Sequence, residues 1–431
     1  MIDDVVSSSD LGEVLHQRMA ELYPICRSIT GDGLRQTLRL IGELIPLEMR
    51  SVPSGTEAFD WTINDEWNVR DAYIADVNGR RLVDFRAHNL HLVGYSTPVR
   101  TRMTLDELRP HLHTLPEHPD WIPYRTTYYA RTWGFCLAHS QLEALGPGPF
   151  DVVIDTAITP GELSYGELVI PGDRADEVII SAHECHPSLA NDNLSGIVVA
   201  AELARALLAI DRRLYTYRFL FAPGTIGSIA WLNQNPDAWP RIRHGLVLTG
   251  LGGGGRLVYK QTRHGSRTID RTASHVVNSH GGEVRGYSPY GYDERQYNSV
   301  GFDLPVGRLS RTPHGEYPEY HTSADNLDFV AAEELVDAYA AVWQILQILE
   351  GGDRRYRNLS PYGEPQLGKR GLYPKTGGQA ASDEVMAMLW TLAYSDGEHT
   401  LLDIAEVSDL AYAAVDEAAG KLTIARLLEI I

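Results

Sequence analysis

Ser181-Ala182-His183-Glu184-Cys185-His186-Pro187-Ser188-Leu189-Ala190-Asn191-Asp192-Asn193-Leu194-Ser195-Gly196 is the stretch on which the fold turns. It is entered from Glu177-Val178-Ile179-Ile180-Ser181-Ala182, a short, largely apolar run of the kind a strand shows when both its faces are buried. It leads into Gly196–Ile210, whose apolar residues recur at helical spacing. A strand, a polar loop and a helix in this order place the loop beyond the carboxyl end of a strand, where open α/β sheets bind ligands. His183, Cys185, His186 and Asp192 all carry side chains able to ligate a borderline-soft cation such as Zn²⁺. The same loop also reads as a hydrogen-bonded connection in which Asp192 or Asn193 caps the next helix. Spacing alone leaves both readings open.

Working outward, Tyr217–Ala222 and Gly245–Thr249 are further buried strands, Thr272–Ser279 a helix and Ala331–Glu350 a long final helix. Toward the N-terminus, Glu167–Ile170, Asp151–Thr156 and residues 48–53 are expected strands. Residues 10–45 hold two helices separated by the loop Arg27–Gly33. This alternation predicts an α/β class with a doubly wound mixed sheet. Between 58 and 148 the texture changes to short aromatic and β-branched segments. There Asn78-Gly79 separates Ala72–Val77 from Leu82–Phe85, a strong hairpin signal.

That stretch is expected to be an inserted β-rich module. Its aromatic segment (Trp121, Tyr124, Tyr128, Tyr129, Trp133) reads as module core, with lining of a cleft at a domain junction as the other reading. The α/β domain is then 1–57 with 149–357, ending in a basic run, Arg354–Arg357, expected to be a solvated stretch past the last helix. A Gly/Pro/Tyr-rich linker follows over 358–378. Over 379–431, helices at Val385–Tyr394, Leu401–Glu406 and Ala411–Leu422 and a strand pair in Thr423–Ile431 suit a winged-helix-like domain.

A chain of 431 residues exceeds what one core usually organises, consistent with this division. With 57 acidic against 38 basic residues the net charge is −19, which repels nucleic acid and anionic membrane. A winged helix would ordinarily suggest DNA. Residues 379–431 carry ten acids against Lys421 and Arg426, so a packing or protein-contact role is expected instead. No apolar run approaches the roughly 20 residues that span a bilayer. Acids stand in the first residues where a secretory signal carries basic ones, so a cytoplasmic protein is expected. Three distant cysteines, Cys26, Cys136 and Cys185, give no disulfide framework.

Two later segments join the opening one. Tyr292-Asp293-Glu294-Arg295-Gln296-Tyr297 precedes the apolar Gly301–Val306, and Glu319-Tyr320-His321-Thr322-Ser323-Ala324-Asp325 puts a histidine in a loop before a helix. In this order and spacing the chain resembles zinc aminopeptidases and glutaminyl cyclases. His183-Glu184-Cys185, Asp192–Gly196, Asp293 before Gly301–Pro305, and His321-Thr322 with Asp325 stand where that superfamily carries its motifs. A narrower resemblance, to bacterial aminopeptidase-like proteins of polysaccharide and natural-product gene clusters, covers nearly the whole chain. It rests on Phe59-Asp60-Trp61, Glu66–Asp71, Asn89-Leu90-His91, Trp133–Cys136, His186–Asn193, Asp293–Tyr297 and Glu319–Thr322.

The resemblance implies metal contacts at His183, at Asp192 (the bridging carboxylate of a two-metal site) and at His321, with zinc as the metal. It also shows where this chain departs. Pro223-Gly224-Thr225 has glycine where relatives place a glutamate, and Leu251–Gly255 is a glycine run where a Gly-Asp-Asp is expected. Two-metal hydrolases use such carboxylates to hold cations and deprotonate water. One ion is therefore expected rather than two. His186, Glu184, Cys185, Asp293 and Glu294 are replacement ligands or bases, with Glu294, Asp293 and Tyr297 as the catalytic candidates.

Three functions follow: a metal-dependent hydrolase of an amide or peptide-like bond in a tailoring pathway, an acyl-transfer enzyme using Cys185 as nucleophile, or a non-catalytic binding protein. A small-molecule or peptide-like substrate is the expected partner, and homo-oligomerisation is compatible with the sequence.

Overall fold

The computed structural model describes residues 8–372 and 382–431. The described chain divides into two units: residues up to Asp270 with Gly281–Ala340, and Arg271–His280 with Ala341–Ile431.

The first unit is built on an eight-stranded mixed sheet. From edge to edge its strands are Glu48–Pro53, Glu162–Ile170, Thr216–Ala222, Glu177–His183, Ile242–Leu248, Val306–Arg311, Leu257–Lys260 and Glu283–Arg285. The four central strands from Thr216–Ala222 to Val306–Arg311 run parallel to one another. All seven residues of Glu177–His183 are buried, as their apolar run predicts, and Gly196–Leu208 is the expected helix. The final helix is Ala332–Gly351. Charge is buried in this sheet only where it is paired. Arg218 meets Glu177 at 2.7 and 3.0 Å, and Trp231 Nε1 donates to Glu167 at 2.7 Å.

The insert forms a second, four-stranded antiparallel sheet in the order Arg81–Asp84, Glu66–Ala75, Phe150–Thr159, Val99–Met103. The hairpin expected at Asn78-Gly79 is its Glu66–Ala75/Arg81–Asp84 corner. Asp151–Thr156, expected in the main sheet, is instead a strand of this one. Its alternating burial, Val152 and Ile154 in and Asp151 and Asp155 out, serves a sheet with one solvated face. Trp67, Ile74, Val152 and Ile154 share one apolar core with Ile179, Leu220 and Val247 of the main sheet.

In the second unit, helices Asp383–Tyr394, Leu401–Ser408 and Tyr412–Ile424 pack with a three-stranded sheet ordered Asp396–Thr400, Arg355–Asn358, Leu428–Ile430. This is a winged helix. Ser382 and Thr400 cap the first two helices, as hydroxyl side chains do. Two expectations change here. Arg354–Arg357 is not a solvated stretch, because Arg355–Asn358 is the central strand and buries Tyr356. Thr423–Ile431 is not a strand pair: the helix runs to Ile424, and Leu428–Ile430 pairs back onto Tyr356–Asn358. Residues 373–381, which hold the end of the expected linker and the first residues of the expected winged-helix domain, lie outside the described residues. No helix among the described residues is long and apolar enough to cross a membrane.

Candidate metal centre

His183 is the last residue of the buried central strand, so its side chain emerges at the carboxyl edge of the sheet. The loop that follows returns Asp192 to it: His183 Nε2 lies 2.8 Å from Asp192 Oδ1. The other carboxylate oxygen, Oδ2, faces His321 Nε2 at 3.0 Å and His186 Nδ1 at 3.6 Å. Among the described residues, His183, His186 and Asp192 can offer ligand atoms that all lie within 4.8 Å of one another. The side chains of His183 and Asp192 are 1% exposed, that of His186 11% and that of His321 32%. His321 is therefore the open side of the cluster.

The fit of this donor set to a metal can be judged from its hydrogen bonding. His186 Nδ1 is buried and has no hydrogen-bond partner, and a buried ring nitrogen left bare is unfavourable unless something else binds it. Burial pushes the His186 imidazole down to about 3, which keeps it in the neutral form that ligates. Burial alone would raise Asp192, but the surrounding His186, His183 and His321 rings hold its carboxyl well below the usual range. Two imidazoles and one carboxylate with an open side are the donor set of a mononuclear zinc site. The residues present fit that ion.

The loop geometry is held from several distant elements. Arg27, buried in the first inter-helix loop, donates from Nε to the His186 carbonyl at 3.0 Å. Asp325 accepts the Asn191 and Asp192 amides at 2.5 and 3.0 Å. Asn193 donates to the His183 and Leu248 carbonyls and accepts the Gly250 amide. Asn191 Oδ1 accepts the amides of both Gly252 and Gly253 at 2.9 Å. This explains the glycine run structurally. A Cβ at Gly252 would come within 2.4 Å of Val330 Cγ1, and one at Gly253 within 2.8 Å of the Phe329 ring. At these two positions a Cβ would force its neighbours to shift, whereas a Cβ at Gly254 would meet nothing within 4 Å.

Gly224 is different. A Cβ there would meet Cys185 Sγ at 3.3 Å and His183 Cβ and Cδ2 at 3.6 Å, so a side chain at this position would run alongside the imidazole.

The remaining sequence candidates separate. Asp293 is buried, accepts the Thr225 amide at 2.6 Å and is raised by burial against the opposing influence of His183; it stands behind the first histidine. Glu294 is fully buried and committed to Lys260 Nζ at 2.9 Å, with Arg308 at 3.6 Å, an ion pair rather than a free base. Tyr297 is buried, with its hydroxyl on Ser181 Oγ at 3.1 Å. Cys185 is buried, accepts the Gly224 amide at 3.3 Å, and burial pushes its thiol up, the reverse of an activated nucleophile. Glu184 is buried with neither oxygen hydrogen-bonded, and burial raises it well above its usual range although Arg27 opposes this.

Aromatic rings form the walls, and one of them, Tyr124, comes from the segment read as module core with cleft lining as the other reading. Tyr124 sets its edge against both His186 (5.2 Å) and His321 (4.9 Å), so this member of the aromatic segment lines the cluster. Its amide donates to the His321 carbonyl at 2.7 Å, which supports His321 in its left-handed conformation at φ +58°. Tyr292 stacks on His183 at 4.8 Å and Tyr320 on His321 at 3.9 Å. An aromatic residue next to a ligand-type histidine, as in Tyr320-His321, is the signal that could have pointed to them.

Comparison with known proteins agrees with this architecture. A family model described as a domain of unknown function, DUF4910, matches residues 16–352, and a winged helix-turn-helix model matches residues 354–430. A Clostridium acetobutylicum protein, named for polysaccharide biosynthesis and for an aminopeptidase-like domain, is 44% identical over 99% of this chain and 98% of its own length. A crystal structure from the same organism, named as a peptidase, is 43% identical with a TM-score of 0.92, covering 98% of this chain and 97% of that one. The zinc aminopeptidase of Bacillus subtilis shares the fold, with a TM-score of 0.58 and 14% identity over 78% of this chain and 94% of that one.

Proposed function

Since this chain belongs to the DUF4910 family and has the aminopeptidase-like fold with a C-terminal winged helix, we propose that it is a mononuclear metal-dependent hydrolase of an amide or peptide-like bond. The observation that carries this reading is the cluster itself: His183, His186 and Asp192 converge at the sheet edge with a bare His186 nitrogen inside it. Zinc is the ion proposed. The name of the Clostridium relative supports a place in polysaccharide biosynthesis, where such an activity would tailor a building block.

The roles follow from position. His183, His186 and Asp192 hold the ion. When bound, a divalent cation supplies Lewis acidity toward a carbonyl oxygen and makes water acidic enough to attack at neutral pH. His321, on the open side with Nε2 on Asp192 Oδ2, is placed to accept a proton from attacking water and return it to the leaving nitrogen, as a positioned imidazole does. In this reading it is a proton carrier rather than the metal contact that the resemblance implies. Tyr292 and Tyr320 fix the planes of His183 and His321 by stacking, and Tyr124 shields the cluster from solvent beside both outer rings. Buried, hydrogen-bonded Cys185 does not support acyl transfer through sulfur.

The test is metal content by elemental analysis on protein purified without added zinc or chelator, paired with a screen of aminoacyl and acyl amides. About one equivalent, lost in His183→Ala and retained in His321→Gln with turnover abolished, is expected for a three-ligand site with a separate proton carrier. Absence of tightly bound metal would overturn the hydrolase reading and leave the binding-protein alternative.

A further inference from the structure

Pro313-His314-Gly315 belongs to no motif of the resemblance, yet His314 stands in the wall of the candidate centre. Its ring packs at 4.5 Å against Tyr292, the same tyrosine that stacks on His183 from its other neighbourhood at 4.8 Å. One tyrosine ring therefore separates His314 from a proposed ligand. Behind His314 lies Arg308, from within the strand Val306–Arg311, donating Nη1 to His314 Nδ1 at 3.3 Å. A guanidinium can only donate, so Nδ1 is the acceptor and Nε2 carries the ring proton. His314 is half-buried, and Nε2–H is the ring group that the Arg308 contact leaves over. Burial, reinforced by Arg308, pushes its imidazole down to about 4. It is a fixed neutral donor at physiological pH.

The charge behind this donor is unbalanced. Lys260 and Arg308, both with side chains 4% exposed, pair with the buried carboxylate of Glu294; Glu316 also acts on Arg308 but is itself bound to Arg285, and Arg308 Nε has no hydrogen-bond partner. Two buried cations on one anion, with a guanidinium nitrogen left bare, are unfavourable unless a further negative group completes them. In this chain glycine also replaces the two carboxylates that the resemblance places near the cleft, so nothing acidic at those positions opposes an incoming anion.

We propose that His314, backed by Arg308 and Lys260, is an anion-recognition subsite, and that the substrate carries a carboxylate or phosphate group one aromatic ring away from the bond that is cut. The link to a cut bond rests on the hydrolase reading; the subsite itself does not. The group is a positioning and specificity element: it fixes one end of the substrate while the histidine–aspartate cluster faces the other.

The experiment is calorimetric binding of succinate, succinamide and inorganic phosphate to the full-length chain, zinc-loaded and chelator-treated. Succinate or phosphate should bind both forms, and succinamide at least about tenfold more weakly, as charge-assisted hydrogen bonds require. Preference between the two anions assigns the group as carboxylate or phosphate. His314→Phe should weaken anion binding about tenfold in both forms, whereas His314→Gln, which keeps an N–H donor, should stay within about threefold. Arg308→Met should weaken it as well, which guards against a local packing failure in His314→Phe. Equal affinity for succinate and succinamide, an unaffected His314→Phe, or anion binding confined to the zinc-loaded form would overturn the proposal. Anion binding that persists in a protein found to hold no metal would sustain the subsite while removing the hydrolase reading.

Discussion

Gly224 faces His183 so closely that a Cβ on the glycine would lie 3.6 Å from the imidazole Cδ2. That contact is an ordinary van der Waals distance, and the nearer one, Cys185 Sγ at 3.3 Å, asks the thiol to give by a few tenths of an ångström, so the position admits a side chain once Cys185 shifts. The missing glutamate is therefore a chemical difference at an otherwise intact position, not a collapse of the surrounding backbone. Gly224→Glu is expected to add a carboxylate beside the cluster and raise bound metal from about one equivalent toward two, as carboxylates bridge cations in two-metal sites. Elemental analysis of the variant against the parent checks this. An unchanged ratio would show that the carboxylate does not reach the ion.

The glycine run offers the opposite case. Asn191 Oδ1 is the shared acceptor of the Gly252 and Gly253 amides, and all three residues are buried. Asn191→Ala leaves two buried donors without a partner, which costs roughly 2–4 kcal/mol. Because Asn191 precedes Asp192, the loss should also lower metal affinity. Urea unfolding and competition with a chelator give the two readouts. A variant as stable as the parent would show that solvent replaces the bond.

The winged helix should not bind DNA. Its last helix, Tyr412–Ile424, presents Asp416 and Glu417, and its one lysine, Lys421, is held by Glu384 and Glu417. With phosphate contact required for even non-specific affinity, a random duplex at about 0.1 M salt is expected to show no binding in fluorescence anisotropy at micromolar protein. Saturable, salt-sensitive binding would overturn this and return the module to its ordinary role.

What was legible in the sequence was local. The run Glu177–His183, the loop to Asp192 and the helix from Gly196 lie within one strand–loop–helix unit, so composition and periodicity sufficed for these elements, while spacing left open whether the loop binds a metal or caps the helix. What was missed depends on partners far apart in the chain. Arg27 reaches the His186 carbonyl across 159 residues, and the Tyr124 amide holds His321 from the insert; neither leaves a periodic trace. Arg355–Asn358 misled for a related reason. Only Tyr356 among its first three residues is buried, so alternating arginines read as a solvated run although they belong to a central strand.

Glu66 illustrates a motif residue whose role is structural, and its pH dependence has a definite sign. It belongs to Glu66–Asp71 and pairs in two-pronged fashion with Arg35 at 2.6 and 2.9 Å. It also accepts from Asn68 and from the Glu162 amide. The Arg35 hydrogen bonds, opposed by burial and aided by Asn68, hold its carboxyl down to about 2 from its ordinary value of 4.5. A carboxyl depressed in the folded state stabilises above the unfolded value and loses that contribution as pH falls through the folded one. The contribution is therefore full at pH 7 and is lost as pH falls from about 4.5 to about 2, and with solvent screening of this partly exposed pair it amounts to about 1 kcal/mol. Glu66→Gln should lower the unfolding midpoint at pH 7, and the gap from the parent should close as pH drops below about 4. Thermal unfolding of both proteins across this range tests it. A gap independent of pH would mean that the residue acts by packing, and that the ion pair joining the first helices to the insert contributes little.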